Sequence, residues 1–152
     1  MAIRTLSELI DWTRQLHERL AKCLAQCSSK NEEERARGLL DYLAKHEAEM
    51  ERMVQGFENQ AESKVMRTYI YDYLSHQPIQ TNLSCDLAYA KMSFDDICAE
   101  VFDYHQQVIA LYRDLEERVD IPEAKDLLHS LLEMEEHEAM RLSRQTGRMS
   151  DL

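Results

Sequence analysis

Glycine occurs only three times in this chain of 152 residues, and proline only twice. A β-rich domain of that length needs many turns, and turns draw on both residue types. Their scarcity argues against a sandwich or barrel and favours long helices with few connections. Long apolar runs are lacking too, so no stretch of 18 or more residues offers a transmembrane span. The opening Met-Ala-Ile-Arg-Thr-Leu-Ser-Glu has no apolar h-region, and no signal peptide is expected. A Gly-rich phosphate loop, a nucleophile elbow and a Ser/His/Asp set are also missing, which argues against an ordinary nucleotide-binding or hydrolytic enzyme. Positive charge is in short supply: 18 Lys and Arg face 29 Asp and Glu, a formal net charge of -11. Such a surface repels phosphate backbones and anionic lipid, so neither nucleic acid nor a membrane is an expected partner. Four cysteines, at 23, 27, 85 and 98, form no Cys-x-x-Cys pair, and a cytoplasmic chain is expected. Cys23 and Cys27 share a helix face, where they read as small buried hydrophobes ahead of a redox pair.

What is present is helical periodicity, four times over. Thr5-Leu-Ser-Glu8 has the pattern of a capping box. Leu6, Leu9, Ile10, Thr13, Leu16, His17, Leu20, Leu24 and Cys27 then mark one face of a first helix, about 6–28. A second helix, about 32–60, opens with Glu32, Glu33 and Glu34, which complement the positive end of the helix dipole. Its inner face is Leu39, Leu40, Leu43, His46, Glu47, Met50, Met53, Val54 and Phe57. A weaker pattern from Val65 to Leu74 reads either as an extension of this helix or as a separate short one. Pro78, Asn82 and Ser84 then act as breakers. A third helix, about 94–118, is opened by Ser93-Phe-Asp-Asp96 and carries Phe94, Ile97, Cys98, Val101, His105, Val108, Leu111, Tyr112 and Leu115. A fourth, about 123–146, opens with Pro122 in its first turn and carries Ala124, Leu127, Leu128, Leu131, Met134, Glu135, Glu138 and Leu142, with Gly147 as terminator. Residues 1–152 read as one domain: an all-α four-helix bundle of two tight hairpins, with a long crossover between the second and third helices.

Each inner face is interrupted by ionisable residues near mid-helix: His17 on the first, His46 and Glu47 on the second, His105 on the third, Glu135 and Glu138 on the fourth. Antiparallel helices of similar length bring their midpoints to one level, so the sequence predicts a polar layer across the middle of the core. Buried charges must be paired, bound to metal or neutralised. Imidazole nitrogen and carboxylate oxygen suit iron, manganese or zinc.

On these residues the chain resembles the ferritin-like superfamily, and within it the rubrerythrin-like di-iron carboxylate proteins, whose helices supply inward Glu residues and Glu-x-x-His motifs. The second helix carries Glu47-Ala-Glu-Met50 and the fourth Glu135-Glu-His-Glu138, so both Glu positions match while Met50 and Glu138 stand where the family has His. His17 and His105 occupy inner-face positions where the family places Glu. His137 is one residue early for the motif. The metal-ligand candidates are therefore His17, Glu47, His105, Glu135 and Glu138, enough for one ion or two. The resemblance implies an Fe or Mn centre reactive toward oxygen or peroxide, with Glu47 and Glu135 bridging or chelating.

The departures from the motif lead to a first reading with no cofactor, a structural or interaction protein with a degenerate metal site. The alternative is a metal-dependent oxidoreductase using Fe or Mn. A hemerythrin-like site fits less well, because the residues four after His46, His105 and His137 are Met50, Ile109 and Arg141. The 8 methionines read as core filler rather than haem ligands. Tyr69, Tyr71 and Tyr73 form a cluster suited to a homodimer surface. Replacing Tyr69 and Tyr73 with Ser is then expected to halve the mass measured by light scattering, and an unchanged mass removes this surface from consideration.

Overall fold

The computed structural model describes residues 3–71 and 88–151. Four long helices dominate: α1 (Leu6–Ser28), α2 (Glu34–Gln60), α4 (Phe94–Arg118) and α5 (Pro122–Ser150), with a single turn α3 (Ser63–Met66) following α2. The expected boundaries hold to within a few residues because local chemistry sets them. The Thr5 hydroxyl accepts from the Glu8 N–H at 3.3 Å while Glu8 Oε1 accepts from the Thr5 N–H at 3.2 Å, closing the capping box. Ser93 Oγ accepts from the Asp96 N–H at 3.2 Å to open α4. Pro122 occupies the first turn of α5, where a missing N–H costs no intrahelical bond.

Two boundaries differ from expectation or resolve an open one. Helix α5 runs through Gly147 to Ser150. One glycine costs a helix only about 1 kcal/mol. Here Met149 packs on the core and Arg35 Nη2 donates to the Ser150 carbonyl at 2.9 Å, so tertiary contacts extend the helix past it. Helix α2 stops at Gln60 rather than continuing to Leu74. The chain beyond α3 instead lies against the start of α1: the Leu6 N–H donates to the Thr68 carbonyl at 2.9 Å, the Ile70 N–H donates to the Arg4 carbonyl at 2.8 Å, and Thr5 and Tyr69 form an isolated antiparallel bridge. This buries Ile70 at one end of the core. Tyr69 and Tyr71 remain 52% and 43% exposed; Tyr73 lies outside the described residues, as do Leu74, Pro78, Asn82, Ser84 and Cys85.

The helices pack chiefly as two hairpins, α1 on α2 and α4 on α5. At one pole the buried Asn31 ties the α1–α2 turn to a 3-10 turn at Ala88–Lys91. Its Nδ2 donates to the carbonyls of Tyr89 and Met92 at 3.0 Å each, and its Oδ1 accepts from the Glu33 N–H. The core falls into two apolar clusters. One is built around Leu6, Leu9, Val54, Tyr112, Leu115 and Leu128, the other around Leu24, Leu39, Leu43, Ile97, Val101 and Leu142. Traced from cluster to cluster, α1 and α5 run one way and α2 and α4 the other. Because α2 and α4 are parallel, Gln60 at the end of α2 and Phe94 at the start of α4 lie at opposite ends of the bundle, as the long crossover expected from the sequence requires.

Cysteine behaves differently at its several positions. Cys27 packs in the core as a buried thiol and Cys98 is partly buried. Cys23 is disulfide-bonded, and neither Cys27 nor Cys98 is its partner, so Cys23 is not the free hydrophobe expected from its spacing. Disulfides concentrate in oxidising compartments, and Cys23 therefore lends no support to a cytoplasmic location. Among the described residues no helix is long and apolar enough to cross a membrane.

Candidate metal centre

The two apolar clusters meet at the ionisable residues. On α1, His17 follows the last residue of one cluster, Leu16, and precedes Leu20 of the other. On α2, Glu47 lies between Leu43 and Val54. On α4, His105 stands between Tyr104 and Val108. On α5, Glu135 lies between Leu132 and Leu142. The polar layer is thus a cross-section of the bundle, and all its members are buried: His17, Glu47, His105, Glu135 and Glu138 expose 2% or less and His46 6%.

Glu47 is the hub. His17 Nδ1–H donates to Glu47 Oε1 at 3.2 Å, and its Nε2–H donates to Glu135 Oε1 at 2.9 Å. His105 Nε2–H is shared between Glu47 Oε1 at 2.9 Å and Oε2 at 3.0 Å. Donor atoms of His17, Glu47 and His105 all lie within 4.8 Å of one another, a group able to hold a metal ion. Glu135 adjoins this group through His17, and its second oxygen has no hydrogen-bond partner among the described residues. Glu138, also on the inner face, is held elsewhere: both its oxygens accept from Arg141 Nη1 at 3.1 Å. Of the five candidates from the sequence, three converge, one adjoins them and one is engaged by an arginine.

The electrostatics follow from burial between opposite charges. Burial works to lower the His17 pKa, but the carboxylates of Glu135 and Glu47 outweigh it and raise it to about 10. His17 is therefore an imidazolium at neutral pH, as its two simultaneous donations require. Burial works to raise Glu47, yet His105 and His17 hold it well below the usual carboxylate range. Around the layer, burial and then Glu135 push the Tyr112 phenol up.

The donor set fits a divalent transition ion. It offers two imidazoles and a carboxylate with no thiolate, a borderline N/O set suited to Fe(II), Mn(II) or Zn(II). Buried polar atoms are left over for further contacts: His105 Nδ1, Glu135 Oε2 and both nitrogens of His46 have no hydrogen-bond partner among the described residues. Periodicity identified His46 as an inner-face interruption but not as a ligand candidate. Arg141 was likewise not legible, since nothing in an exposed arginine signals that it reaches a buried Glu one turn away.

No protein-family model matches the chain, and no curated protein matches it. Among solved structures it is similar to that of a Thermotoga maritima protein described provisionally as a ferritin-like diiron-carboxylate protein. The TM-score is 0.62 over 93% of this chain and 94% of that chain, at 14% sequence identity. The similarity establishes a ferritin-like all-α fold; at that identity it carries the fold alone.

Proposed function

We propose that this ferritin-like bundle binds one divalent first-row transition ion at His17, Glu47 and His105, with Glu135 beside them, and serves as an Fe- or Mn-dependent redox protein. The observation that carries the proposal is the convergence of three buried donor residues from three helices within 4.8 Å. A two-histidine, one-carboxylate set is one that non-haem iron sites use, with open positions for a further ligand. When bound, such an ion supplies one-electron redox chemistry toward oxygen or peroxide. The chain's own residues hold the ion and keep water out with an apolar cluster on either side. One ion is favoured over two because Met50 offers no imidazole and Glu138 is already paired with Arg141.

A second reading, a metal-free structural layer, is favoured by one specific feature: His17 bridges Glu47 and Glu135 as an imidazolium and so compensates their charge without an ion. Mass-spectrometric metal content of untagged, chelator-free protein, with thermal melts in Fe(II), Mn(II) and Zn(II), separates the two. Metal binding predicts about one ion per chain and a higher Tm, since a ligand of the native state alone stabilises it by mass action. No ion and no shift in Tm leaves the structural layer as the function of these residues.

A further inference from the structure

His46 is the one buried imidazole in the layer with no work in the hydrogen-bond network. Its ring is 6% exposed, and neither nitrogen has a hydrogen-bond partner among the described residues. A buried polar group that no described side chain satisfies calls for a partner such as an ordered water or an ion. Nδ1 lies 3.7 Å from Glu47 Oε2, on the side of the carboxylate that His17 does not use. Two donors on one ion, with bonds of about 2.0–2.2 Å, can be at most about 4.2 Å apart, so this separation suits a shared ion. The His46 ring also lies 6.1 Å from that of His105, centroid to centroid. The ring stacks on Tyr42 at 6.3 Å and 23°, and its donor atoms stand outside the His17, Glu47 and His105 group, so sharing the ion requires the ring to turn toward that group.

Glu138, another buried donor on the inner face, is already held by Arg141. We propose that His46 is a third imidazole ligand of the ion held by His17, Glu47 and His105, supplied from the residue preceding Glu47 rather than from position 50, where Met50 stands.

The inference rests on the metal-binding reading, and the test separates the two. Zn(II)-loaded wild-type protein is examined by X-ray absorption, whose imidazole scattering counts the coordinated histidines. Zn(II) affinity is then compared with that of His46→Phe, which keeps the ring and its stacking on Tyr42. Three imidazoles in the wild type, two in the variant, and a loss of affinity of at least the ~10–100-fold typical of removing an outer-shell partner are expected. Two imidazoles in the wild type overturn the inference and leave the metal site standing, and the count requires no variant to fold. The same holds if His46→Phe matches the wild type in both count and affinity. Wild-type protein that takes up no Zn(II) overturns both the inference and the metal reading.

Discussion

Glu47→Gln is expected to abolish metal loading while leaving the bundle folded, and Glu47→Ala to lower the Tm of the metal-free protein by about 6–20 °C. The larger figure follows from position. Glu47 is fully buried and accepts from both His17 and His105. Removing one member of a buried, hydrogen-bonded charge pair typically costs ~3–5 kcal/mol, because the partner is left charged and unpaired. For a domain of this size each kcal/mol moves Tm by about 2–4 °C. Glutamine keeps the volume and one acceptor oxygen but not the negative charge on which the proposed metal binding depends, so it separates binding from folding. Glu138→Gln serves as the contrast. Its carboxylate is held by an arginine that is itself 56% exposed, and metal content should be retained. Glu47→Gln protein that loads the wild-type amount of metal rules out Glu47 as the hub of the site.

The chelated protein is expected to lose stability steadily as pH rises from about 6.5 to 10. The sign follows from His17, whose folded pKa of about 10 lies above the ordinary histidine value of 6.5. A group whose pKa is raised on folding binds its proton more tightly in the native state. Its stabilisation is complete below the unfolded value and is lost as pH climbs through the folded one. Glu47 works in the opposite range. Its folded pKa is depressed, so its contribution is present above 4.5 and disappears on acidification through the folded value. The two together place the stability maximum of the metal-free protein between about 4.5 and 6.5. His17→Gln should flatten the alkaline limb. An ion that binds deprotonated His17 displaces that proton, so metal should bind more tightly at higher pH and offset the alkaline loss. Thermal melts across pH, with and without metal, read all of this. A Tm that stays flat or rises between pH 6.5 and 10 in the chelated wild type is incompatible with a His17 imidazolium shared by two carboxylates.

The polar layer was legible because depth is written in sequence. His17, Glu47, His105 and Glu135 each fall on an apolar face at 3.6-residue spacing and near the middle of a helix, and capping residues such as Thr5 and Ser93 fix where that middle is. Which of them meet was not legible. Glu135 and Glu138 share an inner face one turn apart, yet Glu135 turns to His17 while Arg141, drawn only from the exposed side of the same helix, takes Glu138. Cys23 is a similar case, since pairing depends on distance in space and not on its spacing from Cys27.

By itself, then, the sequence determined that the chain forms four amphipathic helices with a polar cross-section, because periodicity, caps and breakers act within a few residues of one another. Only the tertiary structure decided that α5 continues past Gly147, that Arg141 takes Glu138, and that three side chains from α1, α2 and α4 close around one point. Those outcomes depend on which helix faces which and how far each is rotated about its axis. A rotation of a few tens of degrees leaves every periodicity intact while exchanging one carboxylate for another at the centre of the bundle.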